Sequence, residues 1–301
     1  MKKVLPFLFL LLFSQNLLSQ EIITALPDTI SHWKKQHKLG IDINQISFVN
    51  WNAGGTNSIS GLLKGDIKRI YQYKNTKWHN ELLFRYGINK QDGLRIRKTD
   101  DALVLNSTFG FRTDTISNWF YSAKFNFNTQ LTNGYQYPNT NKAISSFFAP
   151  AYLFLGAGAE YINKEQNLKI YLSPLTQKST FVLDTDLSNE GAFGVQKGKK
   201  YRNEIGFLVS AYHKDEVFRN VFIENRANLY SDYLNNFGNI DINWQIQVDM
   251  VVNKYLTANV GTHLVYDDDV KAKEEIDGVL QTVGPKLQVK QIIGIGLTYV
   301  F

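Results

Sequence analysis

The chain of 301 residues has no cysteine. That excludes disulfides, thiol catalysis, cysteine-ligated zinc and a lipid anchor on an N-terminal cysteine. It has only six prolines and no low-complexity tract, which argues against extensive disorder. Past the first twenty residues no apolar run approaches the ~20 residues that a membrane-spanning helix needs. No segment keeps an i, i+3, i+4 apolar stripe, so helix is a minor component. The net charge of +6 falls to +4 without Lys2 and Lys3, and no long Lys/Arg run stands out. A mildly basic solvated surface therefore outweighs nucleic-acid binding. There is no G-x-S-x-G motif and no EF-hand spacing, and no cofactor or metal set is expected.

What is present begins with "MKKVLPFLFLLLFSQNLLSQ": two lysines, an apolar run from Val4 to Phe13, and a small residue, Ser19, before Gln20. This is the shape of a cleaved secretory signal over residues 1–19. Residues 20–38 are expected to form a periplasmic segment, either a tail or a partial plug, and residues 39–301 a single β domain. Aromatic residues make up 14% of the chain, which favours strands.

From Leu39 onward one pattern repeats: about ten to fourteen alternating residues, then a turn. In "WFYSAKFNFNTQL" (119–131), Trp119, Tyr121, Ala123, Phe125 and Phe127 oppose Ser122, Lys124, Asn126 and Asn128. "NIDINWQIQVDMVV" (239–252) sets Ile240, Ile242, Trp244, Ile246 and Val248 against Asp241, Asn243, Gln245, Gln247 and Asp249. About twelve such strands are counted, with connections alternating between short and long. Short turns at one end and long loops at the other are the rhythm of an outer-membrane barrel. Each strand exceeds the 9–11 residues a tilted strand needs to cross a bilayer, and the clearest apolar series carry no charge. The expectation is all-β, a transmembrane antiparallel up-and-down β-barrel of about 12 strands. A secreted sandwich or lipocalin-like barrel is the soluble alternative.

The last strand, "QVKQIIGIGLTYVF", alternates up to a terminal aromatic and resembles the assembly signal of outer-membrane proteins. That likeness implies insertion by the barrel-assembly machinery, and closure against the first strand near Leu39–Val49 is expected. "FVNWNAGGTNSISGLLKGD", "KWHNELLFRYG" and "LSPLTQKSTFVLD" resemble an uncharacterised family of Bacteroidota outer-membrane proteins, a domain of unknown function. The resemblance implies fold and location, with lipid and lipopolysaccharide as surroundings, and brings no activity.

The inner series carries both signs of charge. Asp66, Arg85, Lys124, Glu224 and Arg226 are the candidates for lining a path for a small polar or amphipathic solute. Asp66 is expected opposite Arg85, and Ile70 opposite Glu81. The alternative is an ion-paired network that fills the lumen, leaving the loops to act on partners. Trp51, Asn52, Gly54 and Gly55 form either a structural hairpin turn or a gate. Asp267, Asp268 and Asp269 form a solvated acidic loop or a divalent-ion contact. His79 and His263 face inward but have no triad signature, so no catalytic residue is assigned and a barrel lipid enzyme is the least favoured reading.

Overall fold

The structure, a computed structural model, describes residues 31–47, 56–235, 237–276 and 279–301. The expected signal segment and the Trp51-Asn52-Ala53-Gly54-Gly55 motif lie outside them.

The described residues form the strands β1 (Trp33–Ile46), β2 (Ser58–Tyr73), β3 (Thr76–Gln91), β4 (Arg97–Phe111), β5 (Trp119–Thr129), β6 (Gly134–Tyr135), β7 (Ala143–Ser145) and β8 (Ala151–Asn163). They continue with β9 (Leu168–Phe181), a helix α1 (Thr185–Glu190), β10 (Tyr201–Phe218), β11 (Val221–Asp232), β12 (Asp241–Val251), β13 (Leu256–Tyr266), β14 (Lys271–Ile276), β15 (Val279–Pro285) and β16 (Gln288–Val300). Twelve of these close into an antiparallel barrel in the order β1-β16-β13-β12-β11-β10-β9-β8-β5-β4-β3-β2. The short pairs β6–β7 and β14–β15 decorate two of the long loops. The first strand opens at Trp33, earlier than the expected Leu39.

Alternation sets which side of the wall each residue takes, because successive side chains in a strand point to opposite faces. The result is inverted relative to a soluble protein. Ile293 is 79% exposed, Tyr121 70% and Ile295 63%, whereas Glu81, Lys178 and Glu204 are 5%, 3% and 2% exposed. Aromatics gather at the short-turn end: Trp33 packs on Trp78 at 5.8 Å, Trp119 on Tyr161 at 5.2 Å, and Tyr299 on Phe301 at 5.5 Å between ring centroids.

Two register features correct the expectation. The β2–β3 turn is only Lys74-Asn75, with Lys74 at φ 48°, so Tyr73 pairs with Thr76. Asp66 therefore opposes Leu83, Lys64 opposes Arg85, and Lys68 opposes Glu81. The slip is two residues, which keeps every side chain on its expected face. The second feature is in β9, which carries on past Pro174. The strand continues to Phe181 through a bulge, its register shifting against both β8 and β10. The extra residue exchanges the faces, so Lys169 and Tyr171 before it and Thr176 and Lys178 after it all point inward.

Closure is least extensive at the seam. The β1–β16 register covers only Lys38–Asp42 against Gly296–Val300, although β1 runs on to Ile46. By contrast β13 pairs with β16 from Leu256 to Val265. Reciprocal backbone bonds between His37 and Phe301, both 2.9 Å, pin the end of the chain. Above the wall, Ala149, Val182, Leu187 and Val195 form a small apolar cluster between the β5–β8 and β9–β10 loops. Asp184 caps α1 by accepting from the amides of Asp186 and Leu187.

Candidate functional site

The lumen holds a stack of paired charges around a small apolar cluster of Tyr171, Leu208 and Tyr230. At mid-height Arg226 on β11 reaches Glu81 on β3, Nη1 to Oε2 at 3.0 Å and Nη2 to Oε1 at 3.3 Å. These strands are six places apart in either direction round the barrel, so the pair spans the full width of the lumen. Both ends have a second partner. Arg226 also donates to Glu224 at 2.6 Å, and Glu81 lies 3.2 Å from Lys68. Lys68 pairs with Asp66 at 2.8 Å, Glu224 accepts from Lys214 at 2.9 Å, and Asn106 donates to Glu81 at 3.1 Å.

Of the expected residues, Asp66, Glu224 and Arg226 thus meet in one network. Arg85 belongs to a different group, 3.3 Å from Asp100, which also accepts from Lys290 of β16 at 2.6 Å. Lys124 stands apart: it donates to Ser210 at 2.9 Å and lies over the Tyr171 ring at 5.2 Å. Toward the short turns, Lys77 pairs with Glu160, and Lys77 and Arg112 both lie over the ring of the inward-facing Phe120.

The long-loop mouth holds a group that the candidate set did not contain. Lys178 donates to Asp241 at 2.6 Å and Asp267 at 3.1 Å, and lies 3.7 Å from Glu204. Arg202 joins Asp269 at 2.7 Å and Glu204 at 3.3 Å. Asp232 accepts from Asn235 and Asp268 from Asn239, each at 2.7 Å. Glu204, Asp232, Asn235, Asn239, Asp241, Asp268 and Asp269 line a small cavity of about 10 Å³. Asp267–Asp269 is therefore a packed rim rather than a freely solvated loop. Lys178 was hidden by the β9 bulge; continuing the alternation through Ser173-Pro174 with one skipped residue would have found it.

Among the described residues neither inward histidine hydrogen-bonds a serine: His263 meets Asn243 at 3.0 Å, and His79 Nε2 is buried without a partner. No group of three or more His, Asp or Glu among the described residues is arranged as metal ligands. A second depression of about 770 Å³ lies on the outer wall, between Trp78, Phe109, Ala123, Phe125, Leu155 and Leu175.

The family described as "Protein of unknown function (DUF3078)" matches residues 43–135. No curated protein matches the chain. Solved structures with a similar course include an outer membrane channel from Pseudomonas putida F1, at 12% identity and a TM-score of 0.42, covering 92% of this chain and 97% of that one. The translocator domain of the autotransporter NalP from Neisseria meningitidis is similar at 9% identity and a TM-score of 0.38, covering 91% of this chain and 90% of that one.

Proposed function

We propose that the protein is an outer-membrane β-barrel that admits a small polar or amphipathic solute at its long-loop mouth and holds its lumen shut with an exchangeable ion pair. The membrane reading is supported by the inverted burial, since a wall with Ile293, Tyr121 and Ile295 exposed is unfavourable in water and suited to hydrocarbon. On this reading the apolar belt meets outer-membrane lipid and lipopolysaccharide. The barrel-assembly machinery inserts the chain, its signal removed.

The observation that carries the closed-passage reading is the Arg226–Glu81 bridge across the lumen. Breaking a buried ion pair normally leaves an uncompensated charge, which is costly. Here each partner keeps another: Arg226 falls back on Glu224, and Glu81 on Lys68. The bridge can therefore part without stranding a charge, which is what a gate requires and a static filler does not. Asp66 and Glu224 take part through those fallback contacts, while Arg85 and Lys124 line the wall beside them.

Planar-bilayer conductance tests this. The wild-type barrel should show rare openings, and Glu81→Gln should open it more often. Silent membranes with both proteins would overturn the passage.

One observation favours a second reading, in which the barrel is filled and acts through its loops. The β5–β8 and β9–β10 loops are fastened together by Leu183 N–H donating to Phe148 at 3.0 Å and by the cluster around Leu187. That gives a shaped outer surface for a partner, and a barrel with no conductance but with specific loop-dependent binding would support it.

A further inference from the structure

We propose that the acidic long-loop mouth binds the primary ammonium group of a small cationic solute. This deepens the passage reading by naming the class of solute, and rests on it only for where the solute goes next.

Six carboxylates gather there: those of Glu204, Asp232, Asp241 and the Asp267–Asp269 rim. Two cations pair with them among the described residues, Lys178 and Arg202, so carboxylates outnumber their cations by four. Such an excess in a confined mouth concentrates cations.

A second observation is independent of the charge count. The Tyr230 hydroxyl has no hydrogen-bond partner, although the residue is only 3% exposed. A buried hydroxyl without a partner is costly and calls for an occupant. Its direction follows from Gly206 on the neighbouring strand. A Cβ there would lie 2.8 Å from Tyr230 Cζ, so the ring leans across the glycine toward Glu204, two residues further up the same strand. Tyr230 also pairs directly with Asp241 in the β11–β12 register. The ring thus leans toward Glu204, whose carboxylate lines the acidic cavity.

The chemistry of the occupant is indicated by the protein's own ammonium. Lys178 Nζ is held by two carboxylates and lies 5.3 Å over the Tyr230 ring, the combination of anion and π-face that suits a primary amine. The cavity of about 10 Å³ lined by Glu204, Asp232, Asp241, Asp268 and Asp269 has room for roughly one water-sized group, which is the size of an ammonium head. No three of these carboxylates converge as metal ligands would.

The test is calorimetric titration of the full mature barrel, in lipid nanodiscs, with 1,4-diaminobutane. Saturable binding is expected, weakened at least tenfold by Asp232→Asn or Asp268→Asn and several-fold by Tyr230→Phe. If Asp232→Asn fails to fold, Asp268→Asn, at the rim, carries the same test. Absence of binding to the wild type, or equal affinity in the folded variants, would overturn the site. Calcium binding that the diamine does not displace would do so as well. A barrel that binds the diamine but never conducts, even as Glu81→Gln, sinks the passage and leaves this site standing. One that conducts, yet is indifferent to the diamine, does the reverse.

Discussion

Arg226 and Glu81 are 145 residues apart in the chain and on opposite walls of the barrel, and they meet at 3.0 Å. This one contact joins the two halves of the lumen. A double-mutant cycle on Glu81→Gln and Arg226→Gln, followed by urea unfolding in lipid, should return a coupling of about 0.5–3 kcal/mol. Each single change should cost less than the ~3–5 kcal/mol of a stranded buried charge, because Lys68 and Glu224 remain as partners. Strictly additive effects would mean that the two residues do not meet.

The outer series should reject charge. Phe125 faces outward in the middle of β5, so Phe125→Arg should cost about 2–4 kcal/mol of folding free energy in a bilayer. Asn128→Lys, on the inner series of the same strand, should cost under about 1 kcal/mol. Equal penalties would deny the wall its two environments.

The β1–β16 seam should open before its neighbour. Its register covers five residue pairs, against ten for β13–β16. Amide exchange in nanodiscs should accordingly be faster for Lys38–Asp42 than for Ala258–His263. Slower exchange at the seam would show that closure is carried by something other than the ladder.

In the β4–β5 turn, Asp114 accepts from the amides of Ser117 at 2.6 Å and Ile116 at 2.8 Å. These two bonds, Ser117's first, hold its carboxyl below the ordinary aspartate value of 3.8. Because the folded form is the more acidic, its contribution is present above pH ~4 and is lost as pH falls through the lower, folded value. A carbon-13 titration of Asp114 should give a midpoint below 3.8, and a midpoint at or above it would contradict the turn geometry.

The strand number, the loop rhythm and the sidedness of "WFYSAKFNFNT" were legible because alternation is a local property, read two residues at a time. The partners were not. Asp66 was expected opposite Arg85, but a two-residue turn moved the ladder by two, a change that alternation cannot detect. Simple alternation puts Lys178 on the outer face, yet a bulge beside Pro174 turns it inward. Glu81 faces inward as its parity requires, but nothing in its neighbourhood names Arg226; that contact exists only once twelve strands have closed. Trp51 and its neighbours lie outside the described residues, so their role is carried by the sequence alone.

The absence of native cysteine makes the most direct test a clean one. Single cysteines are placed in turn from Trp119 to Thr129 of β5, and each is challenged in outer-membrane vesicles with a water-soluble and a lipid-soluble maleimide. The prediction is a period of two: positions 122, 124, 126 and 128 react with the water-soluble reagent faster than 121, 123, 125 and 127, whose thiols stay protonated in hydrocarbon. Uniform reaction with the water-soluble reagent along the strand would contradict a membrane-spanning wall around a polar lumen.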